Sequence, residues 1–247
     1  MSFLRSVRIK EEREVPDAFP FNLPAVRGKN FALEFSSPVT FFVGENGSGK
    51  STVLEAIAIA CGFNPAGGSQ QNIYDFQPTE SSLASALRLS WSQKMNRGFF
   101  LRAESFFNFA SYLEQSQKEQ PQFNWYAPYG GESLHAMSHG ESFLALLKNR
   151  FKNGIFLLDE PEAALSPTRQ LAFLTLLDSM VKAGESQFII ATHSPILLAY
   201  PNAKICHFSE QGIQPTTYQE TEHYRVTKDF LNSPEAFLRH LTGEESA

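Results

Sequence analysis

Two cysteines are all that this 247-residue chain contains, Cys61 and Cys206, far apart and each among apolar neighbours. That scarcity excludes a disulfide framework or a CxxC metal site within the chain, and both thiols are expected to be reduced and in the core. Long hydrophobic runs are missing as well. No window approaches the ~18 apolar residues of a membrane span, and the opening MSFLRSVRIKEER has charges where a secretion signal needs an apolar stretch. A cytoplasmic protein without direct membrane insertion is the expectation. Positive charge is not in excess, with 21 Lys and Arg against 26 Asp and Glu, so the molecule as a whole has no pull on nucleic acid. Internal repeats and sustained heptads are lacking too, which excludes a solenoid and a coiled coil.

What is present suffices for a core. Hydrophobic residues make up 42% of the chain and 23 are phenylalanine, which excludes wholesale disorder. Apolar or alternating runs predict strands at 7–10, 31–35, 39–43, 87–91, 99–103, 155–158, 187–191 and 204–208, and helices at 50–60, 141–151, 167–182 and 195–200. Residues 62–82, rich in Gly, Pro, Ser and Gln, read as an irregular excursion. Ten aromatics between 99 and 129 suggest a second apolar centre. Strands alternating with helices in the second half argue for a parallel α/β sheet. Ser166-Pro167, Ser194-Pro195 and Ser233-Pro234 each place an N-capping hydroxyl before a proline at the first helical position.

The run Gly44-Glu45-Asn46-Gly47-Ser48-Gly49-Lys50-Ser51 fits GxxxxGK[ST] and lies between the apolar strand VTFFV and a helix. Glycines let successive N–H groups surround phosphates, the helix N-terminus adds partial positive charge, Lys50 reaches the β/γ oxygens and Ser51 ligates Mg²⁺. Thr52 is counted with these ATP-binding residues. The buried-looking strand IFLLD ends in adjacent carboxylates, Asp159 and Glu160. In a parallel sheet the carboxyl ends of neighbouring strands meet, so Asp159 is expected near Mg²⁺ and Glu160 near an attacking water. His193 follows the strand QFIIAT at the same end, where a γ-phosphate would lie. Ser138-His139-Gly140-Glu141 opens a helix and offers an anion a second helix end, although S-x-x-E is also an ordinary capping box. TKDF at 227–230 misses the guanine-reading [NT]KxD pattern at its last position.

In order along the chain, the P-loop, SHGES, IFLLDEPEAALSP and ATHSP resemble the ABC-class ATPase head over roughly residues 30–210. The resemblance implies an α/β P-loop NTPase with a mostly parallel core sheet, N-terminal antiparallel strands and a small helical lobe. It implies one ATPase domain over 1–247, with a core lobe at about 1–62, 83–103 and 152–247 and a signature and aromatic lobe at about 104–151. Ser138 and Gly140 then belong to the signature motif, where SHGES stands for the commoner LSGGQ and His139 and Glu141 depart from it. Asp159 and Glu160 belong to Walker B, residues 164–167 to the D-loop and His193 to the switch position. ATP and Mg²⁺ are the implied cofactors, with Ser51 and Asp159 on the metal and Glu160 and His193 catalytic. The Q-loop stays unassigned among Gln70, Gln71 and Gln77.

Glu162 after Pro161, the AALSP and THSP wording and NGSGKSTVLEAI are more similar to the RecF, SMC and OLD-type branch than to transporter cassettes. No coiled-coil arm interrupts the motifs, and the residues after Phe208 are too few for an OLD-type nuclease domain. A standalone head is therefore expected, working as an ATP-hydrolysing switch. It would form an ATP-dependent homodimer, head to tail around two ATP, in which Ser138, His139, Gly140 and Glu141 of one copy complete the site at Lys50 of the other. The alternatives are the ATP-binding subunit of a membrane transporter and a nucleotide-gated binding module with little turnover. The client is DNA or a partner protein. Arg88, Lys94, Arg97 and Arg102, interleaved with Trp91, Phe99 and Phe100, form a candidate DNA stripe, to be weighed against strands with a solvated basic edge.

Overall fold

The computed structural model of the chain describes residues 2–12, 16–27, 31–64, 81–104, 106–150 and 153–242, apart from the side chains of Phe107 and His139. Gln70, Gln71 and Gln77 lie outside the described residues, as does the end of the helix expected at 141–151.

Nine strands and eight α-helices follow one another as β1 (Leu4–Ile9), β2 (Ala32–Glu34), β3 (Val39–Val43), α1 (Lys50–Ala60), α2 (Ser82–Ala86), β4 (Leu87–Trp91), β5 (Gly98–Arg102), α3 (Phe106–Glu119), α4 (His139–Arg150), β6 (Gly154–Asp159), α5 (Pro167–Lys182), β7 (Ser186–Ala191), α6 (Pro195–Leu198), β8 (Lys204–Ser209), β9 (Gly212–Thr216), α7 (Glu222–Asn232) and α8 (Pro234–Thr242) among the described residues. The central sheet has the order β5-β6-β7-β3-β8-β9, parallel except for β9, which runs antiparallel to β8. A smaller antiparallel sheet has the order β2-β1-β4.

Period-two alternation sorts the central strands between two cores. Phe42, Phe100, Ile155, Leu157, Ile189 and Ala191 face the small sheet and the helices α1 and α2. Val39, Phe41, Val43, Phe99, Leu101, Phe156, Leu158, Phe188 and Ile190 face α3, α4, α5 and α6. Burial on both faces explains why β3, β6 and β7 read as continuous apolar runs. The small sheet is stitched to the central one by Gln187, which is fully buried. Its Oε1 accepts the N–H groups of Phe3 and Leu4, both at 2.9 Å, and its Nε2 donates to the Leu4 carbonyl at 3.0 Å.

Much of the aromatic run lies in the second of these cores, shared with the central sheet. Phe106 and Phe109 on α3 pack with Phe99, Tyr129 and Phe143 in the core beneath the central sheet. Edge-on contacts link Phe99 to Phe109 at 5.8 Å, Phe109 to Tyr129 at 5.3 Å and Phe106 to Phe143 at 5.4 Å between centroids. Each is worth about 0.5–1.5 kcal/mol beyond burial, so this run fastens α3 and α4 to the sheet.

Ser194 caps α6 as expected, accepting the N–H groups of Ile196 and Leu197. Ser166 does not cap α5: its side chain makes no cap hydrogen bond, and Pro167 sets the first turn while Gln170 Nε2 donates to the Leu165 carbonyl at 3.0 Å. Both cysteines are buried and neither forms a disulfide among the described residues, and burial pushes the Cys61 thiol up to about 12. Among the described residues no helix is long and apolar enough to cross a membrane.

Candidate functional site

The loop after β3 turns sharply because Gly44 has φ +142°, and a Cβ there would lie 2.2 Å from the Phe208 carbonyl oxygen. α1 starts directly behind it with no side-chain cap, so its first N–H groups stay directed into the loop. Lys50, only 4% exposed, folds back along this loop and donates from Nζ to the carbonyls of Gly44 and Glu45, each at 2.8 Å. Burial lowers its pKa, and the carboxylates of Glu160, Asp159 and Glu162 pull the other way. Ser48 Oγ is buried and has no hydrogen-bond partner among the described residues. An unmatched hydroxyl and an inward-turned ammonium beside a helix N-terminus suit a polyanion.

Ser51 Oγ donates to Asp159 Oδ1 at 2.9 Å, joining α1 to the end of β6. These hard oxygen donors suit Mg²⁺. Burial raises the Asp159 pKa, opposed by Arg102 and by the Ser51 hydrogen bond. The next residue, Glu160, has φ +50°, a left-handed conformation that is uncommon outside glycine. Its N–H donates to the Ala191 carbonyl at 2.9 Å, and its Oε1 lies 3.7 Å from His193 Nε2. Strain of this kind costs about 1–3 kcal/mol and collects at functional sites. A cavity of about 530 Å³ opens here, lined by Ser51, Arg102, Ala103, Glu104, Asp159, Glu160 and Ala163.

Three members of this cluster were not placed at the nucleotide site by the sequence reading. Glu162 is buried, which raises its pKa, and its Oε1 accepts the His193 N–H at 2.6 Å. His223 Nε2 lies 2.8 Å from His193 Nδ1. Arg102 stood in the candidate DNA stripe, yet it is turned into the cavity, with Nε 3.2 Å from Asp159 Oδ2 and Nη1 3.0 Å from Glu55 Oε2. Phe99 and Phe100 are core residues and cannot stack on bases, which leaves Arg88, Lys94 and Arg97 as exposed charges without that aromatic partner set. The register Arg102↔Asp159 between β5 and β6 dictates this outcome, and the sequence gives no sign of that register.

Ser138 and Glu141 are not among the described residues that line this cavity. Ser138 donates from both its N–H (3.0 Å) and its hydroxyl (2.5 Å) to Glu141 Oε2, while Glu141 Oε1 meets Arg169 Nη2 at 3.1 Å. Half of a capping box is therefore made: the glutamate reaches back to the cap N–H, but the serine hydroxyl donates rather than accepts. A Cβ on Gly140 would lie 2.7 Å from Arg169 Nη1 and 3.0 Å from the Ala164 carbonyl oxygen, which ties this helix start closely to the segment after β6.

A family model described as "AAA domain" matches residues 21–86, the stretch that holds the phosphate loop. A second, described as "AAA domain, putative AbiEii toxin, Type IV TA system", matches residues 141–199, which hold Asp159, Glu160 and His193. Among solved structures, CbiO1 of Clostridium perfringens, part of the ABC transporter complex cbiONQ, aligns over 98% of this chain and 100% of its own with a TM-score of 0.51 at 16% identity. The fold is that of an ABC-class P-loop ATPase head. The SMC head domain from Thermotoga maritima aligns over 87% of the present chain and 99% of its own, with 18% identity and a TM-score of 0.46. No curated protein matches the chain.

Proposed function

We propose that this ABC-class head is a Mg²⁺-dependent ATPase that works as a molecular switch, dimerising head to tail around two ATP. The observation that carries the reading is the 2.9 Å hydrogen bond from Ser51 to Asp159, which joins phosphate loop and strand end across 108 positions of sequence. The N–H groups of residues 44–49, Ser48 Oγ, Lys50 and Thr52 bind the phosphates. Mg²⁺, held by Ser51 and Asp159, would neutralise charge on the β/γ oxygens. Glu160 polarises the attacking water, and its left-handed backbone turns the carboxylate towards His193, whose Nε2 donates to the γ-phosphate.

Ser138, His139, Gly140 and Glu141 act in trans. Ser138, Gly140 and Glu141 are not among the described residues that line their own chain's cavity, which supports a symmetry mate as the recipient. In this reading residues 1–247 form one domain with the two lobes described above, of the RecF, SMC and OLD-like branch, and its client is DNA or a protein. The CbiO1 likeness keeps a transporter subunit as the second reading, and what copurifies with ATP-loaded Glu160→Gln protein distinguishes a permease from the other clients.

Purified protein should hydrolyse ATP only with Mg²⁺, and Glu160→Gln should still bind ATP while turnover falls by about 10²-fold or more, because glutamine keeps the size and loses the base. Undiminished turnover in that variant overturns the assignment.

A further inference from the structure

His223 lies on the first turn of α7, with no role in the scheme above. Its Nε2 is 2.8 Å from His193 Nδ1, the ring centroids are 4.9 Å apart and the rings are tilted by 58°. Thr221 fixes α7 at this spot: buried to 4% exposure, it accepts the Tyr224 N–H and donates its hydroxyl to the Tyr218 carbonyl. His193 is pinned from the other side through its N–H on Glu162. Its Nε2 is buried, has no hydrogen-bond partner among the described residues and points towards Glu160 Oε1, 3.7 Å away.

A neutral imidazole has one proton, so one ring nitrogen donates and the other accepts. Burial depresses the pKa of both histidines, with the Lys50 charge adding to the effect, so both rings are neutral at pH 7. Two arrangements are then open. If His193 Nδ1 donated, its Nε2 lone pair would face the Glu160 carboxylate. If Nδ1 accepts, the proton is on Nε2, where it faces that carboxylate favourably and is available to a phosphate oxygen.

We infer that His223 is a positioning residue for the nucleotide site: its Nε2–H donates to His193 Nδ1, which fixes His193 as the Nε2–H tautomer and orients that proton for the γ-phosphate. This role presupposes the ATP hydrolysis proposed above. It also makes the placement of α7 a condition for a competent sensor.

The test uses the full chain with His223→Phe, which keeps a ring but has no N–H, and His223→Gln, whose amide reaches the position of Nε2. Steady-state hydrolysis of Mg-ATP is measured beside ¹⁵N spectra of the imidazoles. Wild-type His193 should show the Nε2–H tautomer. His223→Phe should lower kcat by about tenfold with KM changed by less than about twofold, the scale on which outer partners of functional histidines act. The same variant should give His193 a mixed tautomer signal, and His223→Gln should restore most of kcat.

An Nδ1–H tautomer in wild-type His193, or a kcat for His223→Phe within about twofold of wild type, overturns the inference. Should His223→Phe not fold, His223→Asn, whose amide falls short of Nε2, provides the kinetic contrast with His223→Gln. Wild-type protein without any hydrolysis would defeat the ATPase reading, and the tautomer of His193 would still decide whether His223 sets its proton.

Discussion

Glu141 holds Ser138 by both of its donors through a single carboxylate oxygen, Oε2. These hydrogen bonds keep the Glu141 carboxyl below the usual range, and Arg169 adds to the effect. Ser138 is thus engaged inside its own chain, and in the proposed dimer the γ-phosphate of a second copy's ATP would compete with a carboxylate for the same two groups. Anion would replace anion, so the exchange would require no change in the charge preference of the helix end.

Complementation separates the trans role from simple capping. Ser138→Arg and Lys50→Ala proteins should each be inactive alone, and mixing them should restore ATPase activity, since a mixed dimer has one site with both wild-type halves. A helix cap alone would cost about 1 kcal/mol and leave hydrolysis intact. Full activity in Ser138→Arg protein, or ATP-loaded Glu160→Gln protein that stays monomeric in light scattering, would defeat the composite site.

His193→Ala should slow turnover more than it weakens ATP binding. The side chain faces Glu160, and loss of a donor used in the transition state lowers kcat. Binding measured by equilibrium titration and rates measured by phosphate release provide the comparison. Equal losses in both would mark a structural histidine.

Arg102→Met should lower the urea midpoint by the equivalent of about 3 kcal/mol, because it strands Asp159 as an uncompensated, nearly buried carboxylate. Adding Asp159→Asn should recover part of that loss, which a double-mutant cycle measures as coupling. Equal midpoints for Arg102→Met and wild type would show that the ion pair contributes nothing net.

Stability should fall as pH drops below the ordinary histidine value of 6.5. His193 and His223 have folded-state pKa values below that figure, so the unfolded chain binds more protons in the interval between them. The associated stability is present above 6.5 and is lost as pH falls through that value towards the folded-state ones. Asp159 and Glu162 have the opposite sign, being raised above 3.8 and 4.5, and their contribution is lost as pH rises. Urea midpoints at pH 7.5 and 5.5 check this, and a double His193→Ala, His223→Phe variant should show a flatter difference.

The phosphate loop, β3, α1, β4 and α5 were legible residue by residue because each has a local cause: a glycine pattern, an apolar run or a proline at a first turn. β9 escaped notice because Pro215 lies within it, tolerable only on an edge strand such as this one. In α3 the spacing Phe106, Phe109, Ala110 and Leu113 is helical, yet it was hidden among the many aromatics around it. Arg102 and His223 depend on register and on packing between distant segments, which single-chain patterns do not encode. Arg102 resembles any basic residue near a strand end until β6 is laid beside β5.

Gln187 has a bearing on the order in which the chain assembles. The partners of its side chain are emitted 183 and 184 positions before it. At roughly 5–20 residues per second, β1 spends roughly 10–40 seconds on the ribosome before that amide exists. Both of its sheet neighbours, β2 and β4, are complete by Trp91, so the small antiparallel sheet can pair early and shield Leu4, Val7 and Ile9 during the wait. Docking onto the parallel sheet then comes late, as a weld between two layers that have each formed at a different time.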